Sequence, residues 1–161
     1  MNQKISDAIK DDYEVNTWLI KRITDGLSHE DSVYQPPFPA NCLNWVLGHI
    51  ISRRNTALEL LGEDSIWSQE IQERYQTGSE PIVSDEDARQ FEELISDLER
   101  SQEMISKALV DAPNEDLNNL VSTDRGEKPV WMHLEGFHWH ETFHIGQLEI
   151  LKDFAISKRN T

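Results

Sequence analysis

The sequence predicts an all-α protein, a bundle of four long helices, on three observations. Apolar residues recur every three or four positions almost throughout. No run of alternating β-branched residues competes with that period. Glycine and proline clusters cut the periodic stretches into four long pieces. Four long helices with no sheet bury their apolar faces against one another. No internal repeat or low-complexity segment interrupts the chain, so residues 1–161 read as one domain, long enough to bury a real core.

The elements follow in order. Ile5, Ile9, Tyr13, Asn16, Leu19/Ile20, Ile23 and Leu27 keep the spacing of an amphipathic helix, and Gly26 is a natural stop. The stretch 34–39, Tyr-Gln-Pro-Pro-Phe-Pro, reads as a connector, because proline lacks the amide hydrogen and clashes with the preceding turn. Asn41 is suited to cap a second helix from about Leu43 to Leu61, which Gly62 closes. Residues 63–83, with Gly78 and Pro81, read as a long loop carrying a short helix around Ile66 to Tyr75. Ser84 with Asp87 has the form of a capping box, and Phe91, Leu94/Ile95, Leu98, Ile105 and Leu109 mark the third helix. A polar stretch from Pro113 to Pro129 ends it and contains Asp124-Arg-Gly126, a turn signal. The last helix runs from about Val130 to Phe154.

Composition excludes several function classes. The chain has 15 Lys+Arg against 30 Asp+Glu, a formal charge of −15. Such a field repels nucleic-acid phosphates and anionic membrane surfaces. Cys42 is the only cysteine, so no intrachain disulfide forms, in keeping with a reducing compartment. The first twenty residues lack the basic start and apolar run of a signal peptide, and no stretch approaches the roughly 18 apolar residues of a membrane span. The expected location is the cytoplasm, and the expected partner a small molecule.

The chemistry-bearing feature is a set of histidines. His140 and His144 are four residues apart, which puts both imidazoles on one helix face roughly 6 Å apart. Two ligands rarely hold a divalent ion tightly, and His49, on the inward side of the second helix, is the candidate third. Three neutral imidazoles leave coordination positions open for water or substrate, the layout of a catalytic metal. Gly48 and Gly146 sit beside His49 and near His144 and cost helix stability, which is tolerated where a backbone or ligand must approach closely. The remaining histidines are not expected to touch the ion. His29 is expected in a surface loop. His138 lies about 200° around the helix from His140, and His133, roughly 10 Å along the axis, is a candidate pocket-lining residue. Tyr13 and Asn16 are further candidates for the pocket or for satisfied polar positions. Cys42, about 10 Å along the helix from His49, reads as a small buried thiol and not as a nucleophile.

The run His140-Glu-Thr-Phe-His144 also satisfies H-E-x-x-H, in which zinc proteases use the Glu as general base. The downstream third ligand of those enzymes is missing, and no sheet is expected to hold a peptide. Glu141, about 100° from His140, reads as an exposed helix residue or, as a weaker catalytic candidate, as a pocket carboxylate that moves protons.

Two segments carry a family resemblance: Asn44-Trp-Val-Leu-Gly-His49-Ile, and His140-Glu-Thr-Phe-His144-Ile-Gly-Gln147, which matches an H-x-x-x-H-x-G-Q pattern. Glu14-Val-Asn16-Thr-Trp18 matches more loosely. Over essentially its whole length the chain resembles the DinB superfamily, the DinB/YfiT-like metalloenzymes. The resemblance implies an up-down-down-up four-helix bundle, often dimeric, with a nickel, zinc or iron-type ion on His49, His140 and His144. It implies transferases or isomerases that use low-molecular-weight thiols such as bacillithiol and mycothiol, and some hydrolases. Many members carry a further histidine beside the last ligand and an arginine after it, where this chain has Phe143 and Ile145. A non-catalytic metal- or ligand-binding stress protein is the alternative.

Overall fold

The computed structural model describes residues 4–123 and 125–159. Its long helices are α1 (Ile5–Thr24), α3 (Leu43–Leu60), α5 (Phe91–Asp111) and α7 (Val130–Arg159). Short helices α2 (His29–Val33), α4 (Gln69–Arg74) and α6 (Asn114–Leu117) lie in the connections, with a single 3₁₀ turn at Asp85–Asp87. The protein is mostly helical. α1 and α3 each pack on both α5 and α7.

Local chemistry explains the boundaries. α1 buries Ile9, Tyr13, Asn16, Ile20 and Ile23, with Asp7 in its first turn and Lys21 and Arg22 in its last, each sign complementing the helix dipole. Gly26 follows at φ 73°, a left-handed conformation that glycine adopts without penalty. α2 arises from a reciprocal capping box: Ser28 Oγ accepts from the Asp31 amide, and Asp31 Oδ2 accepts from the Ser28 amide. α3 is preceded by Cys42 as its N-cap, without a side-chain cap, so the expected capping by Asn41 is corrected. Ser84 and Asp87 close the 3₁₀ turn and do not start the third helix, which begins at Phe91 after an extended Gln90.

The expectation of no sheet is also corrected. Strands β1 (Leu120–Thr123) and β2 (Gly126–Pro129) form an antiparallel hairpin with Leu120 opposite Pro129 and Thr123 opposite Gly126. Four-residue strands are too short to show a period in sequence. Asp124, the first residue of the expected turn, lies outside the described residues, as do residues 1–3 and 160–161.

Two apolar clusters form the core. One joins Leu43, Leu47, Ile50, Leu94, Leu98 and Leu148, among others. The other gathers Ile9, Tyr13, Leu58, Ile105, Leu134 and Phe137. Side-chain pairs record which levels of the helices meet: Thr17 donates to Gln102 at 2.8 Å, Ser106 to Glu14 at 3.4 Å, and Lys21 pairs with Glu99. No described helix is long and apolar enough to cross a membrane.

Candidate metal centre

α3 is buried from Leu43 through Ser52 without interruption, because the long connection after it folds back over its outer face. Tyr75, at the end of α4, packs its ring on Gly48: a Cβ built there would lie 2.2 Å from Tyr75 Cδ1. The Tyr75 hydroxyl donates to Asn44 Oδ1 and accepts from the Arg89 amide, so the ring is fixed at its far end. This packing brings the Tyr75 carbonyl 2.7 Å from His49 Nδ1. A carbonyl only accepts, so Nδ1 carries the hydrogen and the Nε2 lone pair is left free. The Trp45 indole lies parallel to the His49 ring, with centroids 4.9 Å apart.

α7 presents His140 and His144 toward that imidazole. Ring centroids are 5.2 Å apart for His49–His140, 4.9 Å for His49–His144 and 4.4 Å for His140–His144. One ligand atom from each residue lies within 4.8 Å of the other two. His144 Nδ1 is 2.7 Å from Gln147 Oε1, which makes it a donor and leaves its Nε2 as acceptor. That Nε2 sits 3.2 Å from His140 Nε2, a separation at which two nitrogens share one proton or one cation. His140 Nδ1 is buried with no hydrogen-bond partner among the described residues.

All three imidazoles are held neutral at ordinary pH. Burial pushes His49 down to about 4, and its hydrogen bond to the Tyr75 carbonyl opposes this only in part. Burial lowers His140 to about 3, with the neighbouring His144 and His49 adding to the effect. Burial also lowers His144, against the Gln147 hydrogen bond. The cluster forms the floor of a pocket of about 750 Å³ whose walls include Trp45, Val46, Trp139, Phe143 and Leu151.

The other candidate residues lie elsewhere. Glu141 is neither exposed nor in the pocket lining: it is 2% exposed and turned into the core, where both oxygens accept from Arg54. The helical rotation of 100° from His140 carries it away from the pocket. His133 is buried but engaged with the hairpin, Nε2 2.9 Å from the Val121 carbonyl, and does not line the pocket. Tyr13 donates to the Leu134 carbonyl and Asn16 to Thr142, so both are satisfied core groups. His138 packs against Tyr13, away from the cluster. His29 opens α2 instead of sitting in a surface loop, accepting from the Phe91 amide and contacting Asp85. Cys42 is fully buried, and burial raises its thiol pKa. Gly48 is a site of close approach as expected; Gly146 is not, since a Cβ there meets nothing within 4 Å.

Three contributors had no assigned role from sequence. Tyr75 and Gln147 orient imidazoles, and Trp45 backs His49. Gln147 lies one turn beyond His144 and was readable by spacing; Tyr75, 26 residues from His49, carried no local signal.

No protein-family model matches the chain. No characterised protein matches it in sequence. Among solved structures it is similar to a conserved protein from Enterococcus faecalis, with a TM-score of 0.75 at 14% identity, over 97% of this chain and 99% of that one. At that identity the likeness concerns the fold alone. Fold and geometry together define a helical protein with three convergent histidines under an apolar pocket.

Proposed function

We propose that this chain is a DinB/YfiT-like metalloprotein, an up-down-down-up four-helix bundle that holds one divalent ion on His49, His140 and His144. The observation that carries the reading is the convergence of three buried, neutral imidazoles within 4.8 Å at the floor of a pocket. The donor set fits nickel, zinc or iron(II): imidazole suits all three. The carbonyl-type acceptors on His49 Nδ1 and His144 Nδ1 are the outer partners that aim a ligating Nε2. The topology is supported by contact order. Residues 14, 17 and 21 of α1 meet 106, 102 and 99 of α5 in reverse. Tyr13 and Asn16 meet Leu134 and Thr142 of α7 in the same sense.

An ion there would supply Lewis-acid chemistry to a thiol, water or small electrophile reaching the open side of the site. The chain's own residues would bind and orient: His49, His140 and His144 hold the centre, Tyr75 and Gln147 fix two of the rings, and the apolar walls exclude water. Thiol transfer or hydrolysis on a small molecule, in the cytoplasm, is the activity this arrangement suits. Glu141 has no part in it, because both its oxygens are engaged by Arg54. The same fact removes the general base that an H-E-x-x-H peptidase requires. It also favours the second reading, a metal- or ligand-binding protein without turnover, since no carboxylate lines the pocket among the described residues.

Metal analysis of protein purified without an affinity tag tests the proposal. About one equivalent of divalent ion is expected in the native chain and a small fraction of that in His49→Ala. Equal metal content in the two would remove His49 from the site. Turnover in a screen of low-molecular-weight thiols with electrophiles separates the enzyme from the non-catalytic reading.

A further inference from the structure

We infer that the pocket above the three histidines takes a flat heteroaromatic ligand with a hydrogen-bond donor and an acceptor side by side on one edge, and that Asn41 reads that edge. This deepens the reading of the site and rests on it for the choice of pocket alone; neither the ion nor the charge of the floor enters. The volume of about 750 Å³ lies inside the range of roughly 300–1,000 Å³ typical of small-molecule sites. Besides the histidines, its polar lining side chains include Asn41, Thr77 and Gln147. Gln147 is engaged by His144 and Thr77 by Arg53. Asn41 neither caps α3 nor takes part in a side-chain hydrogen bond among the described residues. It is half-buried, so its amide gains from a partner inside the pocket. The segment that carries it is held on both sides. Gln35 donates to the Val33 and Ile82 carbonyls at 2.9 and 2.6 Å, Pro36, Pro37 and Pro39 fix their own φ angles, and Cys42 is fully buried. A side chain placed in advance loses little freedom on binding.

Whichever way it is turned, a carboxamide presents one donor and one acceptor side by side. The partner that satisfies both at once has an acceptor beside a donor on one planar edge, as in a lactam, an aminopyridine or the adenine edge with which asparagine pairs. A carboxylate would leave the Asn41 oxygen facing another acceptor, and an ammonium would leave its amide nitrogen facing another donor. The flat body follows from the walls. Phe38, Trp139 and Phe143 line the pocket and are 44%, 70% and 57% exposed. Trp139 and Phe143 project from successive turns of α7, and Phe38, three residues before Asn41, is braced edge-on by Phe154 at 5.3 Å. A planar ring seated among them covers apolar ring surface now in water while its edge pairs with Asn41.

The test is calorimetric titration of the full chain with 2-quinolinone and with N-methyl-2-quinolinone. The two share one flat body, and the methyl group abolishes the donor of the lactam edge. The protein is first incubated with an equivalent of zinc, and its uptake is measured on the same preparation. The native chain is expected to bind 2-quinolinone about five- to tenfold more tightly than the N-methyl form. Asn41→Leu is expected to bring the two within about twofold of each other, with an unchanged thermal midpoint. Trp139→Ser is expected to weaken both about fivefold and to keep their ratio. Equal binding of the two probes, no binding of either, an undiminished ratio in Asn41→Leu, or no weakening in Trp139→Ser overturns the proposal. Discrimination that depends on Asn41 without zinc uptake would remove the metal reading and leave the ligand class standing. Zinc uptake without discrimination would do the reverse.

Discussion

Arg54 donates from Nε and Nη2 to the two oxygens of Glu141, at 2.9 and 2.6 Å, with neither side chain meeting solvent to any extent. The remaining guanidinium hydrogens reach the Leu98 carbonyl and Ser101 Oγ on α5 and Thr17 Oγ1 on α1. One side chain of α3 is thereby tied to all three other long helices. A guanidinium suits this position because its planar fork satisfies several acceptors at once.

Breaking this pair leaves a buried charge alone. Arg54→Met or Glu141→Leu singly is expected to cost about 3–5 kcal/mol in urea unfolding, while the double variant costs clearly less than the sum. Additive losses would show that the two groups are not coupled.

Gln147→Ala removes the acceptor that aims His144. Divalent-metal affinity is expected to fall roughly 10- to 100-fold, with little change in thermal midpoint of the metal-free protein. Competition with a chromogenic chelator measures it. Unchanged affinity would show that His144 needs no such partner.

The three histidines make the metal-free protein acid-sensitive. Their folded pKa values lie below the ordinary value of 6.5, with His49 at about 4 and His140 at about 3. The unfolded chain therefore binds protons that the folded one refuses. Their contribution to stability is fully present above pH 6.5 and is lost as pH falls toward 3. Thermal midpoints of chelator-treated protein should drop across that window, and less steeply in a His49→Gln/His140→Gln variant.

The two glycines of the signature segments are expected to respond oppositely. Gly48→Ala drives a Cβ into a Tyr75 ring fixed by two hydrogen bonds, and should destabilise by several kcal/mol or displace the loop. Gly146→Ala enters open space on a helix and should stabilise by about 0.5–1 kcal/mol. Chemical denaturation of both variants checks the pair.

The long helices were legible because each carries its apolar stripe within its own sequence. Leu43–Leu60 and Val130–Arg159 begin where periodicity and turn residues place them. The short pieces were not. α2 rests on a Ser28–Asp31 capping box that passes for loop composition, and the hairpin has strands too short for a period. Arg54 and Glu141 do carry a local signal. Each is a charge at helical spacing on an otherwise buried stripe, Ile50–Arg54–Ala57 and Phe137–Glu141–Leu148.

By itself the sequence determined that His140 and His144 share a face of one helix, since one helix turn sets that relation. Only the tertiary structure decided that His49 meets them, that Tyr75 returns to fix His49, and that Glu141 turns to Arg54 and not to the pocket. Those relations join residues 26 to 95 positions apart in the chain. They depend on the packing of one helix against another, which no local spacing contains.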